Sequence, residues 1–105
     1  MSGIARGVAV SMFYEKRVTS LRALMREVSV MDSDAGIRVV GRYGKRRCYC
    51  FVTRFGSVFT AMIYDRSPNK EVPGRLLSSV ELKGATQLRR LLKKIAGPDV
   101  LAFVY

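Results

Sequence analysis

Residues Gly44 to Gly56 read GKRRCYCFVTRFG and gather three kinds of chemistry in one stretch. Cys48 and Cys50 are the only thiols of the chain; Tyr49, Phe51 and Phe55 carry rings; Lys45, Arg46, Arg47 and Arg54 carry positive charge. Two thiols in C-x-C order would begin a metal or redox site. A structural zinc site, however, takes four ligands drawn mainly from cysteine and histidine, and the sequence has no histidine. The carboxylates Glu15, Glu27, Asp32, Asp34, Asp65, Glu71, Glu81 and Asp99 are scattered, and Asp32 with Asp34, the one close pair, falls in the turn-forming run DSDAG. No metal, no cofactor and no catalytic constellation is expected, so the chain reads as a non-enzyme. The cysteines read as small apolar residues that point the same way from a strand.

Rings interleaved with arginine have a different use. Aromatic faces stack on unpaired bases while neighbouring cations hold phosphates, and neither contact needs a particular base sequence. The overall charge points the same way, at +11 over 105 residues. No acidic residue lies between Asp34 and Asp65, whereas Arg38, Arg42, Lys45, Arg46, Arg47 and Arg54 all do. Such a field favours polyanions. About half the residues are apolar, enough for a core, so the basic charge belongs to a folded protein rather than to a disordered tail. No apolar run approaches the roughly 18 residues that cross a bilayer, and Met1 to Val10 lacks the charged start and apolar centre of a secretory leader. A soluble intracellular protein, of cytoplasm, nucleoid or nucleus, is expected, with no membrane partner.

The elements that must position these groups follow from period. Val18, Leu21, Met25 and Val28 form a stripe at spacings of three and four, which predicts an amphipathic helix within Phe13 to Met31. Capping by Thr19 or Ser20 would shorten it and leave an arm before it; Val28 to Met31 also fits a short strand. From Ile37 the texture is β: IRVVGRY, RCYCFVTRF and SVFTAMIYD are separated by glycine turns. The proline-rich loop Arg66 to Gly74 leads to a fourth strand, RLLSSVEL. Leu88, Leu91, Leu92 and Ile95 then define a second helix, stopped by Gly97-Pro98. The end, DVLAFVY, fits a terminal strand or a docked tail. The fold class is α+β, a four-stranded antiparallel meander followed by an amphipathic helix, with an extra N-terminal helix. Residues 1–36 form the arm and helix, and residues 37–105 the nucleic-acid-binding domain.

Alternation places Cys48, Cys50, Val52 and Arg54 on one side of the second strand, and Arg47, Tyr49, Phe51, Thr53 and Phe55 on the other. Both sides are largely apolar. One helix covers one side, so the other must meet a subunit, the first helix or a ligand that accepts rings. The turn decides what joins the rings. A Phe55-Gly56 turn brings Tyr64 to them; a Phe55-Gly56-Ser57 turn brings Phe59 and Ile63.

In order and motif, the segment from Arg46 to Ile95, roughly half the chain, resembles the positive-cofactor-four family of transcriptional coactivators. Phe55-Gly56 resembles the family's ribbon turn, Tyr64 its late aromatic, Pro73-Gly74-Arg75 its loop end, and Leu88, Leu91 and Ile95 its helix stripe. Ser57, Val72 and Leu76 stand where the family carries lysines. The resemblance implies a homodimer that binds single-stranded or unwound DNA in transcription, replication or recombination, and other proteins of those processes as further partners. It also implies that Arg54 and Phe55 are ribbon contacts. The Whirly architecture, a neighbour of this family in form, carries the same expectation of single-strand binding. The site is therefore expected at Arg38, Arg42, Lys45, Arg46, Arg47, Tyr49, Phe51, Arg54, Phe55, Tyr64 and Arg75. Capture by six of these cations would give log K a slope against log salt near −4, at about −0.7 per phosphate. The alternative is a single-stranded-RNA-binding protein or translational repressor, since ribbons with rings read RNA as well.

Overall fold

The structure, a computed structural model, describes residues 15–66 and 74–105. Residues 67–73 of the predicted Arg66–Gly74 loop, including Pro73, and residues 1–14 of the predicted N-terminal arm lie outside that range. Six strands and two helices are present in it: β1 (Lys16–Val18), α1 (Leu21–Val30), β2 (Ile37–Tyr43), β3 (Arg46–Phe55), β4 (Val58–Asp65), β5 (Leu76–Lys83), α2 (Ala85–Ala96) and β6 (Leu101–Val104). They make one antiparallel sheet in the order β1-β6-β2-β3-β4-β5.

The expected meander, β2 to β5, makes up four of its six strands. The strand count differs from the expected four because both ends of the chain add to one edge. Residues Lys16 to Val18, expected in a helix or an arm, pair instead with Phe103 and its neighbours, and DVLAFVY inserts β6 between β1 and β2. Gly36 and Tyr105 extend that ladder by exchanging both backbone hydrogen bonds, each at 2.9 Å. Gly36 has no side chain for a reason here, since a Cβ would lie 2.5 Å from the Tyr105 ring.

Of the two starts open for the first helix, Ser20 is the one taken. Its Oγ accepts the Ala23 N–H at 3.1 Å, which satisfies one of the donors a helix start leaves free. The second helix starts at Gly84 without a side-chain cap of its own, but Gln87 reaches back and its Oε1 accepts the Lys83 N–H at 3.2 Å.

Both helices lie on the same side of the sheet. Leu24 and Val28 of α1 and Leu88, Leu92 and Ile95 of α2 share a core with Ile37, Val39, Val52, Ala61 and Ile63. Cys48 and Cys50 are fully buried in it. Burial pushes the Cys50 thiol up to about 12, with the neighbouring Cys48 adding to it, and raises Cys48 by the same main cause. At Gly41 the second helix comes so close that a Cβ would stand 2.1 Å from the Ile95 carbonyl oxygen.

Each tight hairpin turns on a glycine. Gly44 and Gly56 have φ of 65° and 63°, no other residue type has positive φ among the described residues, and the strand residues flanking them pair as Tyr43 with Arg46 and Phe55 with Val58. That is the two-residue turn with glycine first, whose twist matches the strands. Gly56-Ser57 thus turns one residue later than the first alternative considered above. Both ladder partners shift by one, so Tyr64 still joins Tyr49 on one side and Phe59 goes to the core.

Candidate nucleic-acid interface

With both helices on one side, the other side of the sheet has no helix over it among the described residues. Register shows what it carries. Tyr49 is opposite Tyr64 and Val40, and Val40 is opposite Leu101, so these form one row across four strands. The next row, one pleat along, runs Arg17, Phe103, Arg38, Phe51, Met62 and Ser79. Rows on one side of a sheet are spaced about 7 Å apart. Four rings therefore lie within two adjacent rows, each half-buried and each without a helix above it.

The rings contact one another edge to face. Phe51 lies 5.7 Å from Tyr64 at 82° and 6.3 Å from Tyr49 at 61°. Arg38 stands among them, its guanidinium 4.6 Å from the Phe103 ring centre and 5.8 Å from that of Tyr49. Its Nη2 donates to Glu15 at 3.3 Å. Arg38 is thus neutralised and holds rings in place. Other arginines on this side have no such partner among the described residues.

Those others form a third row. Arg42 is the ladder partner of Arg47, and the Arg66 N–H donates to the Arg47 carbonyl at 3.0 Å, which continues the same register one step past β4. Three arginines consequently sit side by side on β2, β3 and the end of β4, next to the Tyr49 row. The Arg66 guanidinium reaches back to 5.5 Å from the Tyr49 ring centre. Like charges directly opposite each other on a sheet are destabilising, and no carboxylate is bonded to any of the three among the described residues. At the other end of this side, Phe55 is the most exposed large apolar residue among those described, with 84% of its surface open.

Arg38, Arg42, Arg47, Tyr49, Phe51, Phe55 and Tyr64 of the expected site therefore share one side. Others do not join them. Arg54 lies on the helix side, where it donates to the Gly56 carbonyl at 2.7 Å and the Met31 carbonyl at 3.1 Å and covers Phe59 at 5.3 Å. It ties the end of α1 to the β3–β4 turn and does not share the side that carries Phe55. Arg46 also points away from the rings and pairs with Asp65 at 3.2 Å. Lys45 is exposed in the turn, and Arg75 is exposed at the start of β5, where its carbonyl accepts the Asp65 N–H.

Arg66 and Phe103 are the residues that sequence reasoning missed. Extending the β3–β4 register would have placed Arg66 opposite Arg47, but its neighbours Ser67 and Pro68 read as loop. Phe103 had no local signal, because its partner Arg38 is far away in the chain. No group of three or more histidine, cysteine, aspartate or glutamate residues able to hold a metal is present among the described residues. No helix there is long and apolar enough to cross a membrane. No family model matches the chain, and neither a curated protein nor a solved structure matches it.

Proposed function

We propose that this protein binds single-stranded nucleic acid, DNA in the first place, on the helix-free side of its sheet. The observation that carries the reading is the placement of an arginine row, Arg42, Arg47 and Arg66, with no carboxylate bonded to it among the described residues, beside the ring cluster of Tyr49, Phe51, Tyr64 and Phe103. Phosphates meet the row. Unpaired bases stack on the rings, each contributing about 1 to 3 kcal/mol, and the Arg66 guanidinium over Tyr49 adds a further flat surface on which bases stack. A duplex hides its base faces and gains only the charge interaction. Phe55 extends the surface at the hairpin tip.

The same reading includes a homodimer and a role beside other proteins of transcription or replication. The edge of β5, eight residues with Leu76 exposed and no further strand beside it among the described residues, supports pairing of two copies. Sedimentation of the full chain tests this, with a monomer at micromolar concentration overturning it.

Fluorescence anisotropy with oligo-dT, the matching oligo-U and a duplex of the same length tests the function. Single strands are expected to bind at least about tenfold tighter than the duplex. Phe51→Ala should weaken single-strand binding about five- to a hundredfold. Equal affinity for duplex and single strand would leave only non-specific charge and end the stacking proposal. Oligo-U bound tighter than oligo-dT would turn the reading to RNA.

A further inference from the structure

Strand β6 stops short of the Gly44 turn. Its last ladder pair joins Leu101 to Val40, so β2 runs on through Gly41, Arg42 and Tyr43 without a neighbour on that side among the described residues. Residues that exchange backbone bonds with a given antiparallel neighbour alternate along a strand. Gly36 bonds both ways to Tyr105, so Arg38, Val40 and Arg42 also face the β6 side. At Arg42 no described strand meets them. The backbone N–H and C=O of Arg42 open instead on a cleft of about 970 Å³.

This cleft is lined by the Tyr43–Gly44 corner, by the last turns of α2, and by the Gly97–Asp99 link from α2 to β6. Leu91, Pro98 and Leu101 give it apolar surface. Arg42, Arg47, Arg66 and Lys94 bring four positive charges to it, against the single carboxylate of Asp99, which is exposed. Its volume suits one nucleotide-sized ligand.

We propose that the cleft receives the end of a bound strand, with a terminal phosphate between Arg42 and Lys94 and the terminal base against Leu91 and Leu101. The inference rests on the single-strand reading above. Two features favour an end over the middle of a strand. Among the described residues the helix-free side is open and a chain can run along it, whereas the cleft is bounded at one end by the Tyr43–Gly44 corner and by the Gly97–Asp99 link. A phosphomonoester also carries between one and two negative charges at pH 7, where an internal phosphodiester carries one, so converging cations favour the end group. The N–H and C=O of Arg42, without a strand partner on that side among the described residues, face the edge of the base.

Three internally labelled oligo-dT 12-mers test this, one with a 5′-phosphate, one with a 3′-phosphate and one with hydroxyls at both ends. One phosphorylated form is expected to bind about fivefold tighter than the hydroxyl form near 0.1 M salt, the effect of one added ionic contact. Which one it is identifies the strand's polarity. Lys94 is exposed and lies off the ring surface, so Lys94→Gln should narrow that gap to about twofold and leave the hydroxyl form unchanged. Equal binding of all three forms would overturn the end site while the single-strand reading stands. A gap that survives both Lys94→Gln and Arg42→Gln would place the end phosphate elsewhere and overturn it too. Failure to bind any of the three would remove both readings.

Discussion

Arg47→Gln separates binding from folding by changing them in opposite directions. Arg47 lies between Arg42, its ladder partner, and Arg66, whose N–H bonds to its carbonyl at 3.0 Å. Neighbouring strands stand about 5 Å apart. Two unit charges at that distance in water repel by roughly 0.8 kcal/mol, and physiological salt reduces this to about 0.4 kcal/mol. Two such neighbours set an upper value of about 0.8 kcal/mol, which splaying of the guanidinium tips lowers. The Arg47→Gln substitution should therefore stabilise the free protein by about 0.3 to 0.8 kcal/mol, a rise of roughly 2 to 5 °C in Tm.

Binding should move the other way. Of the six cations expected from sequence, Arg38, Arg46 and Arg54 are committed to Glu15, Asp65 and two backbone carbonyls. Arg42, Lys45 and Arg47 remain, and Arg66 joins them. The expected salt slope becomes about −3 rather than −4, and Arg47→Gln should bring it to about −2, with about fivefold weaker binding near 0.1 M salt. Anisotropy titrations from low to moderate salt, beside thermal melts of the same samples, read both quantities. A variant that melts lower, or whose slope equals that of the parent, refutes the assignment of this row to phosphates.

Two further outcomes concern the core. Cys50 holds its proton up to about 12 in the folded state against an ordinary 9.0, so the unfolded chain releases that proton first as pH rises. Stability from this group is complete below pH 9 and declines from there toward 12, by at most about 1.4 kcal/mol per pH unit for one proton. Urea unfolding at about pH 8 and about pH 10.5 should show a fall that is smaller in Cys50→Ala, and an equal fall in both proteins would discount the buried thiol. Gly41→Ala would drive a methyl into the Ile95 carbonyl, and because both partners are backbone the expected cost is about 2 to 3 kcal/mol. A loss under about 0.5 kcal/mol would mean that α2 moves freely off β2.

How far the sequence reveals such a fold depends on the range of each contact. Helix α2 and the β2–β5 meander are legible because their signals are local: Leu88, Leu92 and Ile95 repeat at helical spacing, and Gly44 and Gly56 interrupt alternating runs. Strand β1 is not, and for β6 the sequence offers a terminal strand as one of two readings without showing its partner. Lys16–Val18 is too short to show a period, and what makes it a strand is Ala102 to Val104 at the other end of the chain. Phe103 could not be assigned to the ring surface before that pairing was known. The N-terminal helix was ambiguous for a different reason, since Val18 continues its apolar stripe in sequence but belongs to β1 in space.

The site turns on a distinction that composition hides. Arg46 and Arg47 are adjacent and identical in type, yet a strand sends them to opposite sides, one to Asp65 and the other to a row of arginines. Alternation had already put Arg54 with the cysteines, whereas the charge of the stretch and the family likeness argued for placing it on the binding surface. Its bonds to Met31 and Gly56 support the simpler assignment. A net charge is a sum over the whole molecule, whereas a strand of nucleic acid meets one side of it. The register of β3 against β4 selects which cations that side presents, and it does so through Arg66, the residue whose loop-like neighbours kept it out of view.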